Sequence, residues 1–79
     1  MSVRLVFLGR LEDAAGGATR EAAAGSLATL LARLEPDLAR ALTADRVRIA
    51  INGTLVADRT ALVLADGDEL AFLPPVSGG

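Results

Sequence analysis

Apolar and polar residues alternate over two stretches of the chain, residues 2–8 (SVRLVFL) and residues 46–51 (RVRIAI). Successive side chains of a β-strand point to opposite faces of the sheet, so an apolar residue at every second position predicts a half-buried strand. Each stretch therefore predicts one strand with a single apolar face. The residues on these faces are Val3, Leu5 and Phe7 in the first stretch, and Val47, Ile49 and Ile51 in the second.

The spacing changes after Ser26, where leucines recur at positions i, i+3, i+4 and i+7. This spacing places them on one side of a helix, and serine is a favoured N-cap residue. The pattern predicts an amphipathic helix that begins after Ser26 and that Pro36 ends or breaks, with a further short turn of helix over residues 37–42. The residues of the apolar stripe are Leu27, Leu30, Leu31 and Leu34.

Shorter signals fill in the remaining elements. Residues 11–15 predict a helical turn that ends at Gly16-Gly17, and residues 18–24 predict a weaker strand at a sheet edge. Asn52-Gly53 is a strong hairpin signal, because both residue types tolerate positive φ. The returning strand is residues 54–56, and a turn over residues 65–68 leads into a last strand, ELAFL.

The element order is therefore two strands, a helix and three strands. It predicts an α+β fold of the ubiquitin-like β-grasp type, in which an amphipathic helix covers one face of a mixed β-sheet.

The same alternation predicts which residues face away from the helix. If the helix covers the face of Val3, then Val6 and Leu8 point outward from the first strand. Ala71 and Leu73 point outward from the last strand. These four residues would form an exposed apolar patch if the two strands are neighbours. Isolated surface leucines are ordinary, so parity leaves open whether the patch is an interface.

Composition and charge exclude several functions. The 79 residues carry a net charge of −2 and contain neither cysteine nor histidine, and all eight basic residues are arginine. Disulfides, a thiolate nucleophile and the usual near-neutral acid–base group are thereby excluded. There is no basic patch for nucleic acid, no apolar run that could span a membrane and no signal peptide. We expect a cytoplasmic protein with no self-contained active site.

Acidic residues cluster around Gly67, where Asp66, Asp68 and Glu69 could suggest a cation site. The cluster lacks the length and spacing of a calcium loop, which favours a solvated turn.

The last seven residues, LPPVSGG, combine stiffness with a bare end. Pro74 and Pro75 lack an N–H and have a fixed φ, so they end sheet pairing and stiffen the exit. Gly78 and Gly79 remove every Cβ near the terminal carboxylate, so this end can enter a narrow channel. An extended segment from Pro74 to Gly79 reaches roughly 20 Å. We therefore expect a β-grasp domain over residues 1–73 and a flexible tail over residues 74–79, with the carboxylate as the reactive group.

The sequence resembles the MoaD family, the small sulfur-carrier subunits of molybdopterin synthase, within the wider MoaD/ThiS group of ubiquitin-like sulfur carriers. The resemblance lies in DGDELAFLPPVSGG at residues 66–79, supported by INGTLV at residues 51–56 and RLVFLGRLEDAAG at residues 4–16. It covers essentially the whole chain, and the last fourteen residues are its most specific part. LEDAAG at residues 11–16 departs from the RELxG-like stretch of many relatives.

The resemblance implies a mechanism in which partners supply the catalysis. A MoeB-like enzyme uses ATP and Mg²⁺ to adenylate Gly79, and a sulfur donor protein converts the adenylate into a thiocarboxylate. A MoaE-like large subunit, in a heterotetramer, then passes the sulfur to cyclic pyranopterin monophosphate. The carrier itself is non-catalytic and binds no cofactor or metal. The tail residues implied to enter the partner are Pro74, Pro75, Val76, Ser77 and Gly78, and the partner surface is Leu8, Leu55 and Leu73.

Related carriers differ in the acceptor of the sulfur: thiazole synthesis for thiamine, cysteine synthesis or tRNA thiolation. The Pro-Pro pair before the final residues favours the molybdenum pathway. A protein of another class, a ubiquitin-like modifier ligated to lysines or a β-grasp binding module, also fits the fold. A binding module would tolerate loss of the terminal glycines, whereas a carrier or a modifier would not.

Overall fold

The computed structural model describes residues 2–44, 46–59 and 61–75. Its helices and strands follow the predicted order, with two additional short strands. In chain order they are β1 (Ser2–Phe7), α1 (Arg10–Ala15), β2 (Thr19–Ala23), β3 (Gly25–Ser26), α2 (Leu27–Ala32), α3 (Pro36–Leu42), β4 (Arg48–Ile51), β5 (Thr54–Val56), β6 (Val63–Leu64) and β7 (Glu69–Leu73).

The main sheet has five strands in the order β2-β1-β7-β4-β5. β1 and β7 pair in parallel, whereas the other neighbouring strands are antiparallel. The first and last strands of the sequence are therefore neighbours, and β2 lies at an edge as predicted. β3 and β6 form a separate two-stranded sheet. This arrangement confirms the predicted α+β fold with a mixed sheet.

The core lies between one face of the main sheet and the helices. Val3, Leu5 and Phe7 of β1 are fully buried, as their period-two spacing predicts. Phe7 and Phe72 lie opposite each other on the parallel strands, and their rings stack with centroids 5.8 Å apart. The helices close the core with buried leucines, which are Leu11 of α1, Leu27 and Leu30 of α2, and Leu38 and Leu42 of α3.

The helical layer contains the predicted helix after Ser26 and both predicted helical turns, over residues 11–15 and 37–42. In the described part of the chain it consists of three short helices. Ser26 caps α2 as predicted, since its hydroxyl accepts a hydrogen bond from the Thr29 N–H. However, α2 ends at Ala32, and Pro36 is the first residue of α3. Proline suits this position because its missing N–H would be unpaired there in any residue.

Two further local predictions need correction. β4 begins at Arg48 rather than Arg46, because Arg46 has φ 74° and the Val47 N–H bonds to the Ala44 carbonyl in a turn. β3 and β6 contain two residues each, too few for alternation to reveal them. Among the described residues, the structure contains no helix of the length and apolarity needed to cross a membrane.

Candidate functional site

The helices cover one face of the main sheet, and the opposite face carries an apolar row. Val6 of β1 lies opposite Ala71 of β7, Ala71 lies opposite Ala50 of β4, and Ala50 lies opposite Leu55 of β5. Leu8 and Leu73 adjoin this row where β1 and β7 end. We call these residues the open-face patch: Val6, Leu8, Ala50, Leu55, Ala71 and Leu73.

The open-face patch contains all three residues that the family resemblance implies for the partner surface. Leu55 and Leu8 are 57% and 41% exposed, whereas Leu73 is half-buried. The Leu8 N–H donates to the Phe72 carbonyl at 3.2 Å, which holds Leu8 beside the end of β7. The four residues that parity placed outward are therefore contiguous, because β1 and β7 are neighbours as that prediction requires.

Ala50 and Arg48 also belong to this face, although neither was among the residues predicted for it. Arg48 lies opposite Leu73 and is exposed, so it places a positive charge beside the apolar row. The alternation in β4 could have predicted both residues. If Ile49 points inward, its neighbours on either side point outward.

Charged residues border the patch at the end of the sheet remote from the tail. Arg4 lies opposite Glu21 of β2 on one side and opposite Glu69 of β7 on the other. All three side chains are exposed. The open face therefore has an apolar centre with a mixed-charge border, which is the general arrangement of a protein–protein interface.

The C-terminal tail starts at the other end of the patch. Leu73 is the last residue of β7, and Pro74 follows it in contact distance of the Gly9 backbone. Pro75 lines a cavity of about 280 Å³ together with Arg10 and Leu11 of α1. Both prolines are half-buried. The predicted site residues Val76, Ser77, Gly78 and Gly79 lie outside the described residues.

The acidic turn after β6 uses its carboxylates within the fold. Asp66 accepts a hydrogen bond from the Ser2 N–H at 2.8 Å. Asp68 accepts from the Ala65 N–H at 2.8 Å and from the Asn52 side chain at 3.1 Å. These two donors hold the pKa of Asp68 below its ordinary value, and the Ala65 N–H has the larger effect. The turn therefore fastens the start of β1 and the β4–β5 hairpin, and no cluster of metal-ligand residues occurs in the described ranges.

The fold of this chain is matched in known proteins. Residues 5–79 match the model of the ThiS family. The chain belongs to the ThiS family. No curated protein sequence matches it. Solved structures similar to this chain include archaeal modifiers and a chain from a complex of molybdopterin-converting factor subunits.

Archaeal modifiers are among the similar structures. Small archaeal modifier protein 1 from Methanosarcina acetivorans has a TM-score of 0.79 at 26% identity, over 99% of this chain and 96% of that one. Its namesake from Haloferax volcanii has a TM-score of 0.74 at 28% identity, over the whole of both chains.

A third structure is a chain from a protein–protein complex of subunits 1 and 2 of molybdopterin-converting factor from Helicobacter pylori. It has a TM-score of 0.72 at 29% identity, and all of both chains is covered. The neighbours confirm the ubiquitin-like β-grasp fold, and the family confirms a small ubiquitin-like protein of the sulfur carrier and modifier group. Carriers of this group are non-catalytic subunits.

Proposed function

We propose that this ThiS-family protein is the sulfur-carrying small subunit of a molybdopterin synthase. The observation that carries the proposal is the position of the open-face patch relative to the tail. Leu73 belongs to the patch, and the next residue, Pro74, begins the tail. A protein that covers the patch would therefore sit beside the root of the reactive segment. Docking and insertion of the tail then become one binding event.

The reactive group in this proposal is the carboxylate of Gly79. In a MoeB-like enzyme that holds ATP and Mg²⁺, a carboxylate oxygen attacks the α-phosphorus of ATP and pyrophosphate leaves. Hydrosulfide, or the equivalent delivered by a sulfur donor protein, then attacks the acyl carbon. AMP departs with one oxygen and the hydrosulfide proton goes to solvent, which leaves a thiocarboxylate. Adenylation is needed because a carboxylate oxygen is otherwise a poor leaving group.

The acceptor of the sulfur is cyclic pyranopterin monophosphate, held by a MoaE-like large subunit in a heterotetramer. Pro74 to Gly78 would span the distance from the docked patch to that subunit's active site. The similarity to a chain from the Helicobacter pylori complex supports a large-subunit partner. The absence of histidine and lysine from the sequence also fits a carrier whose partner provides the acid–base groups.

The test is mass spectrometry of the full chain after incubation with ATP, Mg²⁺, the adenylating enzyme and hydrosulfide. We expect a gain of about 16 Da, because sulfur replaces one oxygen of the terminal carboxylate. Deletion of Gly79 withdraws the carboxylate by roughly 3.3–3.6 Å. A misplacement near 1 Å already costs about a hundredfold in rate. The truncated chain, and the Gly78→Val variant, should fold and bind the large subunit yet form no molybdopterin.

Ser77→Ala is the matched control, because it retains the chain length and both glycines. It should gain the same mass as the unmodified sequence. The proposal is wrong if the full chain never gains this mass and the chain without Gly79 still restores molybdopterin synthesis in a deficient strain.

A ubiquitin-like modifier is the second candidate, favoured by the similarity to two archaeal modifier proteins. It uses the same adenylate, but a lysine amine of a target protein attacks the acyl carbon and forms an isopeptide as AMP leaves. An N-terminally tagged chain would then appear in cells as higher-mass species that resist thiol reductants and that disappear on deletion of Gly79. If deletion of Gly79 abolishes molybdopterin formation and the full chain forms no such conjugates, the protein is a carrier and not a modifier.

A further inference from the structure

The root of the tail lies against a glycine in the turn between β1 and α1. Gly9 has φ 54° and ψ −135°, a conformation that side chains with a Cβ resist. A Cβ placed on Gly9 would lie 2.9 Å from Cγ of Pro74 and 3.8 Å from its Cδ. Carbon atoms in favourable contact are about 3.5–4.0 Å apart. The Pro74 ring therefore occupies space that is available only because residue 9 has no side chain.

Gly9 is itself held in place on both sides. The Leu8 N–H donates to the Phe72 carbonyl at 3.2 Å, which ties the preceding residue to β7. The Glu12 N–H donates to the Gly9 carbonyl at 3.1 Å, which ties Gly9 to the first turn of α1. Leu11 of that turn is buried in the core. The turn is thus a fixed backbone surface on which the proline ring rests.

The two consecutive prolines make the direction in which the chain leaves β7 depend on this contact. Proline has a fixed φ, and Pro75 restricts the ψ of the preceding Pro74 to extended values, so the orientation of the Pro74 ring largely sets the path of the following backbone. Pro75 continues along the same turn, since it lines the cavity beside Arg10 and Leu11. The β1–α1 turn and the two prolines together determine the angle at which the chain leaves the sheet.

We propose that Gly9 is a positioning residue, which directs the reactive tail through its contact with Pro74. The inference rests on the proposed carrier function and adds a residue outside the tail and the open-face patch. Relief of the 2.9 Å contact requires a ring shift of about 0.6 Å. Over a lever of ~4 Å, this shift tilts the direction in which the chain leaves the sheet by ~9°. A misplacement of a reacting group near 1 Å can already cost about a hundredfold in rate.

The test is the Gly9→Ala variant of the full chain, assayed with the adenylating enzyme, ATP, Mg²⁺ and hydrosulfide. We expect kcat for thiocarboxylate formation to fall at least tenfold while KM for the carrier is unchanged, because the variant leaves the residues of the open-face patch and of the tail as they are. The control is Gly16→Ala at the other end of α1. Gly16 also has positive φ, 77°, but a Cβ there meets nothing within 4 Å. It reproduces a backbone strain without the contact and should retain the kcat of the unmodified chain.

A double-mutant cycle with Pro74→Ala separates the contact from the strain. Without the Pro74 ring the added methyl group has no Cγ to displace, so Gly9→Ala should cost less than threefold in the Pro74→Ala background. An equal loss of kcat in both backgrounds, or no loss in either, would overturn the positioning role.

If Gly9→Ala does not fold, the comparison is between Pro74→Ala and Pro75→Ala. Each removes one proline from the exit, but among the described residues only Pro74 has atoms within 4 Å of a Cβ placed on Gly9. A lower kcat for Pro74→Ala alone therefore supports the role, and equal values overturn it.

The unmodified chain distinguishes this inference from the function on which it rests. If that chain never gains sulfur, the carrier function is wrong and the positioning role is wrong with it. If it gains sulfur and Gly9→Ala does so at the same rate, the carrier function stands and only the positioning role is overturned.

Discussion

Asp68 and Asn52 connect two turns that are 16 residues apart in the sequence. The side-chain N–H of Asn52 donates to the Asp68 carboxylate. The side-chain oxygen of Asn52 accepts a hydrogen bond from the Glu69 N–H at 3.0 Å. Asn52 also has φ 49°, as its place in the β4–β5 hairpin requires. The hairpin signal predicts the conformation of Asn52 from its residue type alone. It does not predict the partner, because the partner comes from the distant turn that β7 brings alongside.

The hydrogen bonds to Asp68 make a pH-dependent contribution to stability. The Ala65 N–H and the Asn52 amide hold the pKa of this carboxyl below its ordinary value of 3.8. Since the pKa is lower in the folded chain, the contribution is fully present above pH 3.8 and is lost as the pH falls through the folded value. We expect Asp68→Asn to lower the melting temperature at pH 7. This difference from the unmodified chain should shrink as the pH falls below about 4.

Thermal melts of both proteins from pH 7 to pH 2 measure this difference. Asp13→Asn is the control, since it makes the same chemical change on an exposed position of α1. A difference between Asp68→Asn and the unmodified chain that stays constant down to pH 2 would contradict the assignment.

At the scale of elements, the helices are short and depend on their ends. α2 comprises six residues, far fewer than an isolated helix needs in water. Its stability comes from the burial of Leu27 and Leu30 and from the cap at Ser26. The leucine spacing and the serine before it predict both features, because capping and amphipathicity act within a few residues. The end of α2 at Ala32 is not predicted, because the sequence places the stop only at Pro36.

Ser26→Ala removes the acceptor of the Thr29 N–H and should destabilise the protein by about 1 kcal/mol. In a domain of this size, that loss lowers the melting temperature by roughly 4–8 °C. Ser26→Thr is the matched control, because threonine retains a capping oxygen and also suits the short strand β3. Equal melting temperatures for the alanine and threonine variants would show that the cap contributes nothing measurable.

At the scale of the whole molecule, the two faces of the main sheet differ in whether helices cover them. The helices cover one face of the main sheet and leave the other uncovered, with an apolar centre that ends at the tail. Of the residues in the open-face patch, Leu55 gives the sharpest test of docking, because it is the most exposed at 57%. Leu73 is half-buried, so a charge there would also affect stability.

Leu55→Asp should weaken binding to the large subunit at least tenfold while the melting temperature stays close to that of the unmodified chain. Burial of one leucine is worth about 1.5–3 kcal/mol, and about 1.4 kcal/mol corresponds to a factor of ten. Titration calorimetry with the purified large subunit measures the affinity. Val63→Asp is the control, because Val63 is 67% exposed on β6, outside the main sheet. If Val63→Asp weakens binding as much as Leu55→Asp, the open-face patch is not the interface.

The features that depend on neighbours along the chain could be predicted from the sequence. These include the start of β1 at Ser2, the cap at Ser26, the turn at Asn52-Gly53 and the bounds of β7. Alternation also predicts which residues of β1 and β7 face outward. Each of these signals is local, since side-chain periodicity, capping and positive φ act over a few residues.

Features that depend on residues distant in sequence became clear only from the folded chain. The parallel pairing of β1 with β7 makes one patch from residues more than sixty positions apart, and alternation alone left that pairing as a condition. The same pairing brings Pro74 against Gly9, so that a glycine in an ordinary loop becomes the support of the tail. No local pattern encodes such contacts, because they arise only when the two ends of the chain share the centre of one sheet.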